Sequence, residues 1–286
     1  MGKAITEVAM LVKVKFSFWE ARKLDKRVTT ETNERYDVAD GDGGRYNKPL
    51  LAKDAIKDMK SCKSKITNYI EFQTLPWYDD GTRVLPAANY LEFTKNVQPL
   101  IEDFNKAKSD FVLGYSDYVA DQKTRLKGLW NEADYPAANT IGNKFGVRMH
   151  IDPIPYAKDF RVTDLSAEDI TQIKKDLEAR ESEIKALFNK ELWTRLYERV
   201  EKIVERLSDP ENTFRDSLIG NLRELADLLP KLNINGDKDL QKTLKEINGK
   251  LCSYEPEVLR TDPDVRKKTA EDARAILDAM AGYCEE

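Results

Sequence analysis

The feature that most constrains this chain is an apolar stripe that runs from Ile170 to Leu207 without a proline or a glycine. Most of its isoleucine, leucine and valine residues recur in steps of three, four or seven, which is the spacing of one face of an α-helix. Ser166 precedes the stripe and Asp169 follows three positions later, as in a helix N-cap, and an Asp-Pro pair ends the run. Such a helix would be on the order of 60 Å long. The sequence therefore predicts a mainly helical protein.

A second apolar stripe extends from Tyr90 to Trp130. Pro99 lies within it and predicts a kink or a break near Asn96. Prolines and glycines punctuate the connection between the two stripes, residues 131–163, where a short helix and one or two short strands around Val147 to Ile151 are expected. Two long helices joined by a compact cap would lie antiparallel, so we expect a coiled-coil-like hairpin over residues 86–208.

The rest of the chain predicts two further segments. Residues 1–85 are expected to form an α+β region, because apolar and polar residues alternate over residues 11–19 and an Asp-Gly pair indicates a hairpin turn. Residues 27–32 are β-prone and favour a strand, and an amphipathic helix is expected from Leu51 onward. Residues 209–286 are expected to form a bundle of three short helices. The predicted fold class is mainly α (α+β), with a small N-terminal β element.

Composition excludes several classes of protein. Charged residues make up 34% of the 286 residues, with a formal net charge of −4, and the periodic stripes assign that charge to solvated helix faces rather than to disorder. Cys62, Cys252 and Cys284 are widely spaced and odd in number, so no disulfide framework or zinc ribbon is expected. His150 is the sole histidine, which excludes sites that need two imidazoles in one chain. Without a signal peptide or a long apolar run, a cytoplasmic protein without a membrane segment is predicted.

Sequence motifs for catalysis are missing. The glycine-rich stretch at residues 41–48 lacks the spacing of a phosphate-binding loop, and no Gly-x-Ser-x-Gly elbow occurs. We therefore predict no catalytic residues, no metal ligands and no cofactor. The expected function is that of a non-enzymatic interaction or scaffold protein that binds a protein partner and self-associates. A metal-dependent hydrolase built from scattered carboxylates is kept as the second alternative.

Positive charge is concentrated near the N-terminus. Residues 13–27 hold six cations against two carboxylates, and residues 45–65 hold seven against two. Cations interleaved with aromatic side chains are what a protein needs to bind single-stranded nucleic acid. Nucleic-acid binding or annealing is therefore the first alternative function. The residues predicted to bind nucleic acid or a partner are Lys13, Lys15, Trp19, Arg22, Lys23, Arg45 and Lys48.

Short motifs in the connection between the stripes resemble an uncharacterised protein family of bacteriophages and bacterial genomes, whose genes can lie near MoxR-type AAA+ ATPases. The motifs are Tyr135-Pro136, Lys144-Phe145-Gly146-Val147, Pro153-Ile154-Pro155 and Asp159-Phe160-Arg161-Val162. The resemblance spans roughly residues 11–207, and implies a phage or prophage origin, a bacterial host cytoplasm and no established activity. The matched residues also predict a structural cap, in which the prolines fix an extended turn and the other residues anchor it: Phe145, Pro153, Pro155, Phe160 and Arg161.

Overall fold

The computed structural model describes residues 4–39, 42–77, 80–155 and 165–284. The protein is mainly helical, at 68%, with a small antiparallel sheet, as the apolar stripes predict. The helices are α1 (Ile5–Val8), α2 (Lys26–Arg35), α3 (Lys57–Gln73), α4 (Tyr90–Leu126), α5 (Ala167–Leu207), α6 (Ser217–Leu232), α7 (Lys238–Lys250), α8 (Pro256–Thr261) and α9 (Pro263–Cys284). The strands are β1 (Ala9–Ser17), β2 (Arg22–Leu24), β3 (Asn47–Pro49), β4 (Leu75–Pro76), β5 (Arg83–Pro86) and β6 (Gly146–Asp152). Among the described helices, none has a stretch apolar and long enough to cross a membrane.

The chain folds into two compact units, neither of which is continuous in sequence. Unit 1 draws its described residues from Met1–Lys13, Glu71–Phe93 and His150–Glu286, and unit 2 from Val14–Ile70 and Thr94–Met149. The borders between the units fall inside β1, α3, α4 and β6. They do not coincide with the predicted segment borders at residues 85/86 and 208/209.

The core of unit 1 is built around α5. This helix begins at the predicted cap, where the Ser166 hydroxyl accepts a hydrogen bond from the Asp169 amide at 3.1 Å. From Ile184 to Leu207 the apolar stripe is buried, and α9 and α6 pack against α5, α9 the more extensively. The predicted antiparallel hairpin with α4 is not confirmed, because the apolar faces of α9 and α6 cover this stripe.

The N-terminal β element confirms the predicted strand and hairpin. The strand order in the main sheet is β4-β5-β1-β6, and a second sheet pairs β2 with β3. In the antiparallel β4-β5 hairpin, Leu75 lies opposite Val84. The turn uses Gly81 at a φ of +81°, a left-handed conformation that glycine adopts without a steric penalty. The alternation of residues 11–19 and the Asp-Gly pair were therefore reliable local signals.

The strand predicted over residues 27–32 is wrong, because these residues lie in α2. The Asp25 carboxylate accepts a hydrogen bond from the Val28 amide at 3.2 Å and caps the helix. The hydroxyl groups of Thr29 and Thr32 each donate to the carbonyl oxygen four residues earlier, at 2.7 Å. The Asp25 cap outweighs the β propensity of the threonines, whose hydroxyl groups find acceptors within the helix.

The C-terminal segment holds four described helices, α6 to α9, instead of the three predicted. Pro256 occupies the first turn of α8, where a missing amide donor costs nothing, so it begins a helix as well as following one. Two other prolines lie inside helices, Pro230 in α6 and Pro99 in α4. Of the kink or break predicted near Asn96, the break is wrong, since α4 continues through this position, and the kink stays a prediction.

Candidate anion-binding site

Two of the predicted binding residues are neutralised within unit 2. The Lys48 side chain is 5% exposed, and its Nζ lies 3.1 Å from Asp25 Oδ2 and 2.7 Å from Asp134 Oδ2. It also donates a hydrogen bond to the Leu129 carbonyl at 2.9 Å. The Nζ of Lys23 lies 2.7 Å from the other oxygen of Asp134. Asp25, Lys48 and Asp134, named here the Lys48 network, thus form a buried structural ion-pair group.

Hydrogen bonds determine the charge state of the Lys48 network. Burial would lower the pKa of Lys48 and raise that of Asp134, but their hydrogen bonds outweigh burial, so the pKa of Lys48 is raised and that of Asp134 is lowered. The backbone amide of Val28 and then Lys48 lower the pKa of Asp25. All three groups are therefore ionised at neutral pH.

Of the five remaining residues predicted to bind nucleic acid or a partner, two contact other side chains and three are exposed. Lys13 forms an ion pair with Asp80. The Trp19 ring packs edge-on against Tyr115, with the ring centroids 6.3 Å apart. Three cations are exposed and form no ion pair with any described residue: Lys15, Arg22 and Arg45. A binding role for these three stays a prediction.

The residues predicted to form the structural cap between the two stripes differ in burial. Phe145 is 2% exposed, and its ring centroid is 5.2 Å from the ring centroids of both Phe18 and Phe111. Pro153 and Pro155 are exposed, on either side of a buried isoleucine. Two cap residues fall outside the described residues: Phe160 and Arg161.

A cavity of about 380 Å³ in unit 1 is lined by unpaired positive charge. Four cationic side chains line this cavity: Arg199, Lys202, Arg206 and Arg215. No aspartate or glutamate lines it, and none of the four cations forms an ion pair within the described residues. A concave surface with one sign of charge raises the local concentration of ions of the opposite sign. This group, named here the basic cavity, is therefore a candidate site for an anion.

Helical phase brings these cations together. Arg199, Lys202 and Arg206 are spaced at i, i+3 and i+7 in α5, so they project from one face of the helix. A row of carboxylates with the same spacing begins one residue earlier and is rotated away by about 100°. That row consists of Glu198, Glu201 and Glu205. Arg215 comes from the segment between α5 and α6 and adds a cation from a separate part of the wall.

Phe214 anchors the wall that carries Arg215. Its ring centroid lies 5.0 Å from the guanidinium carbon of Arg260 and 5.6 Å from that of Arg266. Arg260 in turn pairs with Asp216. The same wall supplies hydroxyl and amide groups from Thr213, Ser217 and Asn221. These anchoring contacts come from other elements of unit 1 and do not involve a ligand.

Counting charges along the sequence does not reveal the basic cavity. Between Glu198 and Arg215 the chain holds five carboxylates and four cations, so the net charge of this window is slightly negative. A projection of α5 by helical phase would have separated the two rows of charge. No local signal places Arg215 with them, because it lies beyond the end of the helix.

Cys62 and Cys252 lack the environment of a nucleophile. Burial raises the pKa of the Cys62 thiol, and Asp103 and Asp58 raise it further. Burial raises the pKa of Cys252 to about 11. Reactive cysteines have a lowered pKa instead. In the part of the chain that the structure describes, no three His, Cys, Asp or Glu side chains could hold a metal ion, so the hydrolase alternative has no candidate centre there.

Comparisons with protein-family models, curated proteins and solved structures give no match to this chain. The resemblance to the phage-type family therefore depends on the motifs of residues 135–162 and stays a prediction. The chemistry of the chain must be inferred from the charges and geometry of its own residues.

Proposed function

We propose that the protein is a non-enzymatic, phage-type interaction protein whose partner is single-stranded nucleic acid. The observation that carries the proposal is the basic cavity, in which four cations lie together without a carboxylate. Phosphate groups are the anions of nucleic acid, and each cation that contacts a phosphate releases condensed counterions, which favours binding at low salt. The resemblance contributes the phage context, and the cavity contributes the binding chemistry.

Arginine-rich lining favours phosphate as the bound group. Guanidinium groups present a rigid fork of donors that pairs with two phosphate oxygens at once. Hydroxyl and amide side chains such as those of Thr213, Ser217 and Asn221 are common donors to phosphate oxygens in nucleic-acid complexes. The proposal thus moves the main contact away from the predicted N-terminal residues, because Lys13 and Lys48 are already paired with carboxylates.

Substituting two cavity arginines should weaken binding to a single-stranded oligonucleotide. For Arg199→Ala/Arg206→Ala we expect an affinity loss of about tenfold at about 50 mM salt, because two phosphate contacts disappear. The slope of log affinity against log salt should fall in magnitude by about 1.4, at about 0.7 for each lost contact. Fluorescence anisotropy with an internally labelled oligonucleotide measures both quantities.

Arg180→Ala is the matched control, because Arg180 is an exposed arginine of the same helix outside the cavity. This variant should bind as the wild type does. The proposal fails if the wild type does not bind at about 50 mM salt, where phosphate contacts are strongest. It also fails if the double variant binds with unchanged affinity and salt dependence.

A second candidate function is that of a self-associating scaffold protein, and one observation favours it. The first half of α5, from Ala167 to Glu183, contains no buried side chain, although it carries Ile170, Ile173 and Leu177. These residues have the a and d spacing of a coiled coil. Isolated helices of this length are marginal in water and gain stability from packing. We therefore assign the predicted coiled-coil pairing to this half of α5, with a second copy of the chain as its partner.

Charge placed on this stripe should dissociate the assembly. We expect the wild type to have a mass above the 32.9 kDa of one chain in size-exclusion chromatography with light scattering. Ile173→Glu/Leu177→Glu should shift it to the monomer, because buried carboxylates oppose each other across the pair. Lys175→Glu, on the opposite face, should leave the mass unchanged. A wild-type monomer at micromolar concentration would rule out this candidate.

A further inference from the structure

We infer that the basic cavity binds a phosphate monoester, and that this group is the terminal phosphate of a nucleic-acid strand. The choice of a strand as the source of the phosphate rests on the proposed function. The choice of a monoester rests on the cavity alone. The two parts can therefore fail separately in an experiment.

The charge of the cavity matches a monoester better than a diester. A phosphate monoester carries between about −1.5 and −2 at neutral pH and has three terminal oxygens. A diester within a strand carries one negative charge and has two free oxygens. Four cations in a cavity whose lining holds no carboxylate favour the ligand that concentrates more negative charge in one place. Three of the four are arginines, whose forked donors can share three oxygens.

The shape of the cavity points to one bound group. Its volume of about 380 Å³ is near the lower end of the range for ligand pockets in proteins. The cations come from two sides, with Arg199, Lys202 and Arg206 on α5 and Arg215 on the segment that leads into α6. Cations on two sides of a hollow can face a single phosphate, whereas a flat basic stripe contacts successive phosphates of a backbone. The end of a strand can enter such a hollow without the strand having to thread through it.

The aromatic residue of the cavity does not provide a free platform for a base. Phe214 already carries the guanidinium groups of Arg260 and Arg266 within 5.0 and 5.6 Å of its ring centroid. Non-specific recognition of a strand interior usually combines backbone contacts with bases stacked on aromatic rings. With its ring engaged by two cations, the cavity recognises charge and not bases. This is the chemistry expected for a terminal phosphate.

The pH dependence of binding distinguishes the two ligands. A monoester has a second pKa of about 6, so it loses about half of its charge between pH 7.5 and pH 5, whereas a diester does not. The charged groups beside the cavity include the four lining cations, the Asp216–Arg260 pair, Arg266, and the carboxylates of Glu198 and Glu205 on α5. These groups are the same for both ligands. The ratio of the two affinities therefore reports the phosphate itself.

The test uses one internally labelled oligonucleotide with a 5′-phosphate, with a 3′-phosphate or with hydroxyl groups at both ends. At about pH 7.5 we expect at least one phosphorylated form to bind about tenfold more tightly than the hydroxyl form, and the ratio should fall to about threefold at about pH 5. Arg199→Ala/Arg206→Ala should abolish the ratio, and Arg180→Ala should keep it. Competition with thymidine 5′-monophosphate tests the monoester without a strand.

The outcomes separate the inference from the proposed function. Equal affinities of all three oligonucleotides, or a ratio that persists in the double variant, would overturn the inference and leave the proposed function standing. Binding of thymidine 5′-monophosphate without binding of any oligonucleotide would overturn the proposed function and support the monoester site. Absence of binding by all four compounds would overturn both.

Discussion

Replacing Arg266 with methionine should lower the free energy of unfolding by about 3–4 kcal/mol. The Arg266 side chain is buried, at 9% exposure, and its guanidinium group donates to four backbone carbonyls. The acceptors and distances are Arg206 at 2.8 Å, Leu207 at 3.3 Å, Asp209 at 2.6 Å and Asn212 at 2.7 Å. Carbonyls at a helix C-terminus have no partner within the helix. Methionine fills similar space but leaves them unpaired and removes a favourable charge from the negative end of the helix dipole.

Urea unfolding followed by circular dichroism measures this loss, and hydrogen exchange should show it at the end of α5 and the start of α9. Arg266→Lys should recover less than half of the stability, because an ammonium group cannot serve a forked set of acceptors. Lys267→Met is the control, since that side chain is 77% exposed, and it should change stability by less than about 0.5 kcal/mol. An Arg266→Met variant with the unfolding midpoint of the wild type would contradict the capping role.

Replacing Lys48 with methionine should lower the free energy of unfolding by about 3 kcal/mol. Hydrogen exchange should show the loss of amide protection in unit 2. Lys48 and Asp134 are each 5% exposed and Asp25 is 12% exposed. Without the ammonium group, two carboxylates remain in a poorly solvated site, with Lys23 as the cation beside Asp134. Removing one partner of a buried ion pair lowers the free energy of unfolding by more than the intact pair contributes to it. Lys53→Met, at an exposed position, should have little effect.

The effect of Lys48→Met should depend on pH. The pKa values of Asp25 and Asp134 are lowered in the folded state, so their stabilisation is present above the ordinary carboxyl pKa of about 4 and is lost as pH falls through the lowered values. The pKa of Lys48 is raised, so its share is present below about pH 10 and is lost above that range. Urea unfolding should show a constant difference between wild type and variant from about pH 5 to 9, and a smaller one below about pH 4. A difference that grows on acidification would contradict this assignment.

Elements with a signal at their own ends were predictable from sequence. The Ser166 cap marked the start of α5, and the Asp-Gly pair marked the turn between β4 and β5. These signals work because the interacting groups are only a few residues apart in the chain. The same rule explains why the strand over residues 27–32 is wrong, since the Asp25 cap makes these residues helical in spite of their β propensity.

The sequence does not show which of the predicted helices pack against each other. An apolar stripe shows that one face of a helix is buried but does not identify what covers it. In the structure, α9 and α6 pack against the apolar stripe of α5. The apolar stripes of α9 and α6 do not identify their partner either. The hairpin with α4 was an inference from length and order along the chain, and neither property determines which apolar faces meet.

The largest difference between the sequence and the tertiary structure concerns which cations are paired with carboxylates. The helical and β-strand composition followed from local patterns, because caps, turns and periodic burial act over a few residues. Whether a cation is free depends on carboxylates that are distant in sequence: Lys23 meets Asp134 across 111 positions, and Lys13 meets Asp80 across 67. Packing paired three of the six predicted N-terminal cations with carboxylates. It left without an ion pair, among the described residues, a group of cations on α5 and the segment before α6 that the sequence masks with adjacent glutamates, because Coulomb interactions depend on distance in space and not on distance along the chain.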